Sequence, residues 1–467
     1  MAAIITSKFR IHNAQSFQEG FSEAAATNIY LGIGRPQAWT DDNSPDTPKD
    51  TVSGEYYRWD DMIALKRVQS SDVTLAIPRR NWTSGKYYDI YKDNYNGVTA
   101  GVNIDSGAGT TPATLFNANF FVVTDEYNVY KCIDNNNGGQ STTKPTGTGT
   151  TIISTADSYK WKYMYTVSPA DVLKFVSTDF IPVKKIITNP GSTDPYYNQY
   201  LVEQAAVDGK IEHITVTNNG TSYASAPTVT ITGDGTGATA DAVYDGGTNT
   251  VTGVTVTDGG SGYTFASVSF SGGGGSAAAA TAIISPKGGH GANAEEELGA
   301  FYAMMNVRLE YADGTGDFPV DNDYRRITLI RDPFNFGGTT VASATTLSST
   351  KSMSFTSLAG GSLVVDRTFS GGTSNAVGRI ISIDSGTSTI RYIQTATDNP
   401  TGVNFQSAET ITMNDAAGAP SGVTFTSNTL NNPEVQPDSG DIMYVENRRP
   451  INRASDQIED IKIIVEM

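Results

Sequence analysis

Apolar and polar residues alternate with a period of two over much of the chain, and that period predicts strands. Phe301, Ala303, Met305, Val307, Leu309 and Tyr311 interleave with Tyr302, Met304, Asn306, Arg308 and Glu310. A strand is predicted there despite the helix-favouring Ala and Met. Residues 159–167 alternate likewise. Residues 120–124 and 128–134 predict two strands joined by a turn at Asp125-Glu126-Tyr127. Further strands are predicted at residues 3–11, 28–33, 324–331, 442–446 and 461–467, the last with Ile461, Ile463, Val465 and Met467 facing one way. Helices are few. Residues 13–25 predict a short one, and residues 57–68 another, with Met62, Leu65 and Val68 on one face. Ser168 as N-cap and Pro169 at the first helical position start a third, running to about Val176.

Between residues 203 and 286 the pattern repeats itself. Ile211-Glu-His-Ile-Thr-Val-Thr-Asn-Asn-Gly-Thr-Ser-Tyr223 matches Val251-Thr-Gly-Val-Thr-Val-Thr-Asp-Gly-Gly-Ser-Gly-Tyr263 at a spacing of 40. After the tyrosine the register slips by one, and both copies end in an alanine-rich strand, residues 238–244 and 277–284. Each copy reads as a supersecondary unit of about three short strands with a Gly-Tyr corner. Two copies facing each other bury a core that neither buries alone. Residues 335–435 form a second Gly/Ser/Thr-rich stretch, with strands predicted at residues 362–369, 376–384 and 389–395. The expected organisation is a discontinuous core, residues 1–202, 287–334 and 436–467. It is interrupted by an inserted β-repeat module at 203–286 and a second inserted β-module at 335–435. Loop tips tolerate such insertions.

Composition sharpens this picture. The 467 residues suggest two to four domains, and 47 Gly with 23 Tyr suit strands and turns. An aromatic fraction of 10% argues against disorder. The net charge of −17 argues against nucleic acid and against an anionic membrane surface as partner. No charged n-region or long apolar run marks the N-terminus as a signal peptide, and no run is long enough to span a bilayer.

No catalytic, cofactor or metal constellation emerges, so none of these residues is assigned to catalysis, a cofactor or a metal. His12, His213 and His290 are dispersed; His290, in Gly288-Gly-His-Gly-Ala-Asn293, is either a site residue or a turn histidine bonded to backbone. Cys132 lies on a predicted strand as a buried inert thiol. Gly233-Asp-Gly-Thr-Gly-Ala238 and Gly272–Gly275 lack the Gly-Lys-Ser/Thr continuation of a phosphate loop and read as turns. Asp134-Asn-Asn-Asn-Gly138 and Asp313-Gly-Thr-Gly-Asp317 offer hard oxygen ligands but no closing Glu of a calcium loop. Glu295–Glu297 and Asp60-Asp61 read as solvated carboxylate faces. Two basic clusters remain, Pro78-Arg-Arg-Asn-Trp82 and Glu446-Asn-Arg-Arg-Pro-Ile451. Arg and Trp are favoured interface anchors. Arg79, Arg80, Trp82, Arg448, Arg449 and Pro450 are therefore candidate protein-contact residues, with internal salt bridging between the ends of the core as the alternative.

These clusters also carry a resemblance. Ile5-Thr-Ser-Lys-Phe-Arg10, Ile77-Pro-Arg-Arg-Asn-Trp82, Val129-Tyr-Lys-Cys-Ile-Asp134 and Tyr159-Lys-Trp-Lys-Tyr163 resemble, in order, the baseplate wedge subunit family encoded by gene 8 in T4-like contractile-tailed phages. So do Arg325-Arg-Ile-Thr-Leu-Ile-Arg-Asp-Pro333 and the block from Ser439 through Asn447-Arg-Arg-Pro-Ile451 to Glu459. The resemblance leaves out the two inserts. It implies a non-enzymatic virion protein with a mainly β fold, a discontinuous β-sandwich core with a few short helices in loops. It further implies a tail-baseplate location after assembly in the host cytoplasm, a homodimer within each wedge, and contacts to the products of genes 10, 7, 6 and 53, without nucleic acid or membrane. A tail-tip or fibre adhesin that reads host glycans is the alternative, motivated by the Gly-Tyr repeats and Tyr87-Tyr-Asp-Ile-Tyr91.

Overall fold

The computed structural model describes residues 4–23, 27–92, 101–102, 109–110, 115–310, 318–320, 322–454 and 458–467. Among the described residues strands take 45% and helices 11%, so the mainly β expectation holds. The chain divides into two compact units. One comprises residues 1–16, 74–304 and 464–467, the other residues 17–73 and 305–463.

The first unit is built on an antiparallel sheet of Phe121–Val123, Asn128–Asn135, Tyr159–Thr166 and Ile153–Ser154, in that order. Both faces are buried. Phe121, Val123, Val129, Ile133 and Met164 enter one apolar cluster with Leu75, Ile77, Ile181 and Leu298. The alternate residues Val122, Tyr130, Cys132, Tyr159, Trp161 and Tyr163 enter another with Tyr88 and Val202. There Tyr159 stacks on Trp161 at 5.4 Å between centroids. This is period-two alternation with both phases buried. Ser168 caps the helix Pro169–Phe175 by accepting from Asp171 N, with Pro169 opening the first turn as expected.

In the same unit the repeat folds by exchange. Ile211–Thr221 pairs with Ser276–Ile284, and Thr250–Ser261 pairs with Thr236–Asp245. Thr228–Gly233 pairs with Ala266–Ser271. The first strand of each copy therefore takes the third strand of the other. Ile211, Ile214, Val216 and Tyr223 share one core with Val251, Val254, Tyr263 and Ile284. Equivalent glycines turn both copies: Gly220 has φ 65° and Gly260 φ 60°. A Cβ would sit 2.6 Å from Ser276 O in one copy and 2.3 Å from Thr236 O in the other, so only glycine fits either place.

The second unit holds a five-stranded sheet in the order Thr346–Ser348, Met62–Arg67, Ile29–Gly34, Asn322–Arg331, Asp441–Arg453. Tyr30, Trp59, Met62, Leu65, Ile330 and Leu347 pack on it. Within residues 351–431 a closed barrel runs Lys351–Ala359, Thr389–Ile393, Val377–Asp384, Thr368–Gly371, Thr410–Asn414, Pro420–Asn431. Phe369 fills its centre, stacked on Phe405 at 4.8 Å and edge-on to Tyr392 at 5.4 Å.

Four element expectations are corrected. Residues 4–11 are not a strand, because the helix Ser7–Glu19 begins there; Ala3 lies outside the described residues. Thr6 Oγ1 accepts from Phe9 N at 3.3 Å and starts the helix, whose buried residues Ile11 and Ala14 are three apart. The helix expected at residues 13–25 thus starts earlier and ends at Glu19; Ala25 lies outside the described residues. The helix expected at 57–68 is instead Val52–Asp60 followed by the strand Met62–Arg67. Met62 to Leu65 are all buried in a central strand, and a strand buried on both faces loses its alternation. In residues 362–369 only Thr368 and Phe369 are in a strand, because a turn at Asp366, with φ 64°, precedes it. Tyr311 and the Asp313–Asp317 loop lie outside the described residues.

Candidate functional site

In the first unit the strand Val73–Pro78 delivers Arg79, Arg80 and Trp82 to the edge of the 121–166 sheet. Trp82 N donates to Val123 O at 2.9 Å and Val123 N to Arg80 O at 2.8 Å, so the segment lies along the exposed side of Phe121–Val123. Arg80 turns inward. Its guanidinium donates to the carbonyls of Ala118 and Phe116 and lies 4.5 Å from the Phe121 ring centroid. Burial pulls its pKa down to about 10. Arg79 is half-buried, donating to Asn81 Oδ1 at 2.9 Å and Ser177 O at 2.9 Å. Trp82 Nε1 donates to Ser141 Oγ at 3.0 Å. Arg79 and Trp82, with Val123, Thr124, Asp125, Tyr127 and Lys144, line an open groove of about 600 Å³, in which Lys144 is paired with Asp125 at 2.7 Å. Its floor carries Thr124 Oγ1, a buried hydroxyl with no partner among the described residues. Aromatic and apolar groups with charges of both signs around such a groove are the chemistry of a protein contact.

In the second unit Arg448, Arg449 and Pro450 lie on the strand Asp441–Arg453. Arg448 Nε donates to Glu446 Oε1 at 2.8 Å, and its carbonyl accepts from Trp39 Nε1 at 2.9 Å. Arg449 Nε donates to Asn43 O at 3.2 Å, and Pro450 is exposed. The sequence reading passed over Arg453, two turns of alternation further on. It is fully buried, and its Nε donates to both Glu459 carboxylate oxygens, at 2.9 and 3.1 Å. Both residues lie in or beside the C-terminal block that carries the resemblance, and an Arg followed six residues later by a Glu was the available signal.

A second feature missed in the sequence is an ionic cluster inside the first unit. Lys131 and Lys162 stand directly opposite each other on adjacent strands. Like charges so placed repel, and each takes its own carboxylate. Glu297, from the helix Ala294–Leu298, bonds Lys131 Nζ; Glu212, from the first strand of the repeat, accepts from Lys162 Nζ at 2.6 Å. Glu297 also accepts from Gly291 N at 2.6 Å and lies 3.0 Å from His290 Nδ1. Burial pushes the Glu297 carboxyl up, but Lys131 and His290 outweigh it and hold it well below the usual carboxylate range. Burial, then Lys131 and Lys162, bring His290 down to about 4. His213 Nε2 meets Asp134 Oδ2 at 2.7 Å. The cluster fastens the repeat and the 294–298 helix to the central sheet.

This settles several candidates. His290 faces Glu297 rather than backbone. Glu295 and Glu297 are buried, not solvated, and Glu295 accepts from Gln15 Nε2 at 2.7 Å and Lys185 N at 3.0 Å. Asp61 is buried too, 2.7 Å from Arg326 Nη1. Burial nevertheless raises it to about 6 against the pull of Arg326. The Cys132 thiol is buried and pushed up by desolvation, as expected for an inert core thiol. Asp134–Gly138 is a self-bonded turn, with Asn136 N on Asp134 Oδ1 and Gly138 N on Asn135 Oδ1. Among the described residues no cluster of His, Cys, Asp and Glu is placed to hold a metal ion.

Two comparisons with known proteins bear on this geometry. A family model described as Bacteriophage T4, Gp8 matches residues 3–138, which include the Arg79–Trp82 segment and Lys131. The baseplate wedge protein gp8 of Enterobacteria phage T4 is 25% identical over 218 residues. That match covers 39% of this chain and 60% of the relative. The chain thus spans less than two thirds of the relative's length, and the resemblance to the gene 8 baseplate wedge family read from the sequence motifs is borne out over its N-terminal part.

Proposed function

We propose that this chain is a structural component of a contractile-tail baseplate wedge. It acts through protein–protein contacts rather than catalysis, and its place is the virion tail. The observation that supports this most is the family match over residues 3–138, which contains a built surface groove lined by Arg79 and Trp82. The comparison names a wedge protein and does not favour the glycan-adhesin reading.

Contacts run to other baseplate wedge proteins, with a second copy of the chain as one partner. Arg79 and Trp82 present the groove. Arg80 acts behind them, holding the 115–118 turn through its two carbonyl bonds. Arg449 and Pro450 offer a second contact on the other unit. Within the stretches 203–286 and 335–435, the outer strands of the repeat and the barrel of residues 351–431 project as insertions, while Thr346–Ser348 belongs to the core sheet. An assembly part of this kind stays soluble alone and buries specific surface later.

Immunogold labelling of tailed particles from the source lysate tests the reading. Label ringing the end plate at the base of the sheath supports it; label at fibre tips, or none on particles, overturns it. Arg79→Glu with Trp82→Phe, which keeps a ring on the Tyr88 and Trp161 cluster, is expected to reduce incorporation into tails at least tenfold, while a variant that incorporates normally removes the groove from the contact surface.

A further inference from the structure

We propose that a pocket in the second unit, built on Arg35 and Trp39, receives a carboxylate side chain from a docking protein. The proposal rests on the protein-contact reading above and names the chemistry of one such contact. The pocket measures about 680 Å³ and opens beside the strand Asp441–Arg453. Arg35, Arg58, Arg326 and Lys49 line it, against Asp46 in the wall and Asp61 behind. The chain as a whole has 49 acidic and 32 basic residues, so a cationic concavity runs against its general charge.

The cations differ in how far the fold itself satisfies them. Arg326 is taken by Asp61 Oδ1 at 2.7 Å and by Asn447 Oδ1 at 3.1 Å. Arg58 donates to Lys49 O. Arg35 is held by stacking more than by hydrogen bonds. Its guanidinium carbon sits 3.6 Å from the Trp39 ring centroid, and the indole is fixed by Arg448 O at 2.9 Å and by Asp42 Oδ1 on Trp39 N at 2.8 Å. Its Nη1 reaches Asp61 only at 3.9 Å, its Nη2 meets Ala38 O at 3.4 Å, and its buried Nε has no acceptor among the described residues. Arg35 also holds φ at 57°, a left-handed conformation that is unfavourable for a non-glycine residue. Backbone cost and an indole platform are thus used to place one guanidinium at a pocket wall with an acceptor missing.

A planar fork backed by an aromatic face suits a carboxylate. Asp46 in the wall disfavours a dianionic phosphate, and the net charge of −17 disfavours a polyanion such as nucleic acid. A single carboxylate entering a recess is shielded from the rest of the surface beyond about 8 Å at physiological salt. The occupant is therefore an Asp or Glu side chain of a protein seated along Asp441–Arg453, next to the exposed Met443, Arg449 and Pro450.

The probe is an immobilised peptide with blocked ends and one glutamate among glycines, with the glutamine peptide as its neutral counterpart and the full-length chain in solution. Binding to the glutamate peptide alone is expected, weakened at least tenfold by Arg35→Gln, partly restored by Arg35→Lys, and unchanged by Lys287→Gln on the other unit. Phenylglyoxal labelling of the wild-type chain gives a readout that does not depend on a variant folding: the glutamate peptide should slow modification of Arg35 several-fold. Equal binding to the glutamine peptide, unprotected Arg35, or displacement of the glutamate peptide by an equal concentration of inorganic phosphate overturns the carboxylate site. Arg35→Gln chains that lose glutamate-peptide binding but enter tails normally sink the docking role and leave the wedge reading intact. Wild-type chains that bind the glutamate peptide but do not label tails sink the wedge reading instead.

Discussion

Lys131→Met tests the buried ionic cluster. The substitution keeps the volume of a side chain that is fully buried and removes its charge. Glu297 is left in the interior with Gly291 N and a neutral His290. Breaking one side of a buried pair costs about 3–5 kcal/mol, roughly a hundredfold or more in the folded ratio. Removing both charges, Lys131→Met with Glu297→Gln, retains a partner for Gly291 N and should cost no more than about 2 kcal/mol. The pH dependence carries the sharper test. His290 titrates near 4 when folded and near 6.5 when unfolded. The unfolded chain therefore binds more protons between these values. The contribution is fully present above about pH 6.5 and is lost toward pH 4, about 3 kcal/mol in all. Without Lys131 the imidazolium forms beside Glu297, and this slope should flatten or reverse. Asp61, raised to about 6, titrates in the same window with the opposite sign but is common to both proteins, so it cancels in the difference. Urea titrations at pH 7.5 and 5.5, read by hydrogen exchange of peptides covering residues 128–135, give both numbers. A Lys131→Met cost within about 0.5 kcal/mol of zero at pH 7.5, or a double variant as costly as the sum of its singles, would refute the argument.

Other outcomes follow from packing and turns. Phe369→Ala empties the barrel centre and should cost about 3–5 kcal/mol, with faster exchange confined to residues 351–431. Gly260→Ala places a methyl 2.3 Å from Thr236 O at a left-handed φ, so more than about 2 kcal/mol is expected in denaturant titration. Asp157 accepts from Thr142 N at 2.7 Å and Thr143 N at 2.9 Å. Burial raises its carboxyl, but the Thr155 hydroxyl and these amides outweigh it and hold it below the usual range. Asp157→Ala should therefore cost about 1–3 kcal/mol near pH 7. The difference should close as pH falls below the usual carboxylate range and the wild-type group itself is protonated.

The sequence was readable wherever one local rule settled the conformation. Ser168 and Pro169 announce their helix, and alternation over Tyr302–Leu309 announces its strand. It misled where burial on both faces erased the period, as at Met62–Leu65. The barrel strands Thr410–Asn414 and Pro420–Asn431 went unread because short Thr/Ser-rich stretches look alike in strands and loops. The groove residues Arg79 and Trp82 stood out against an acidic chain. The ionic cluster did not, because its pairs join residues 166 and 50 positions apart. One sign was there to read: Lys131 occupies the same strand face as Val129 and Ile133, and a lysine among core positions needs a partner.

The crossed pairing in the repeat makes the module equivalent to two subunits joined by a tether. That tether is the hairpin between Asp245 and Thr250, where Asp245 accepts from Gly247 N at 2.8 Å and from Thr248 Oγ1 at 2.7 Å. It gives each copy a millimolar-scale effective concentration of its complement. Nothing in the interface itself distinguishes a complement on the same polypeptide from one on a neighbour. Deleting residues from that hairpin would strain intramolecular closure and shift the copies toward partners in other chains, which is how a tandem duplication becomes an oligomer.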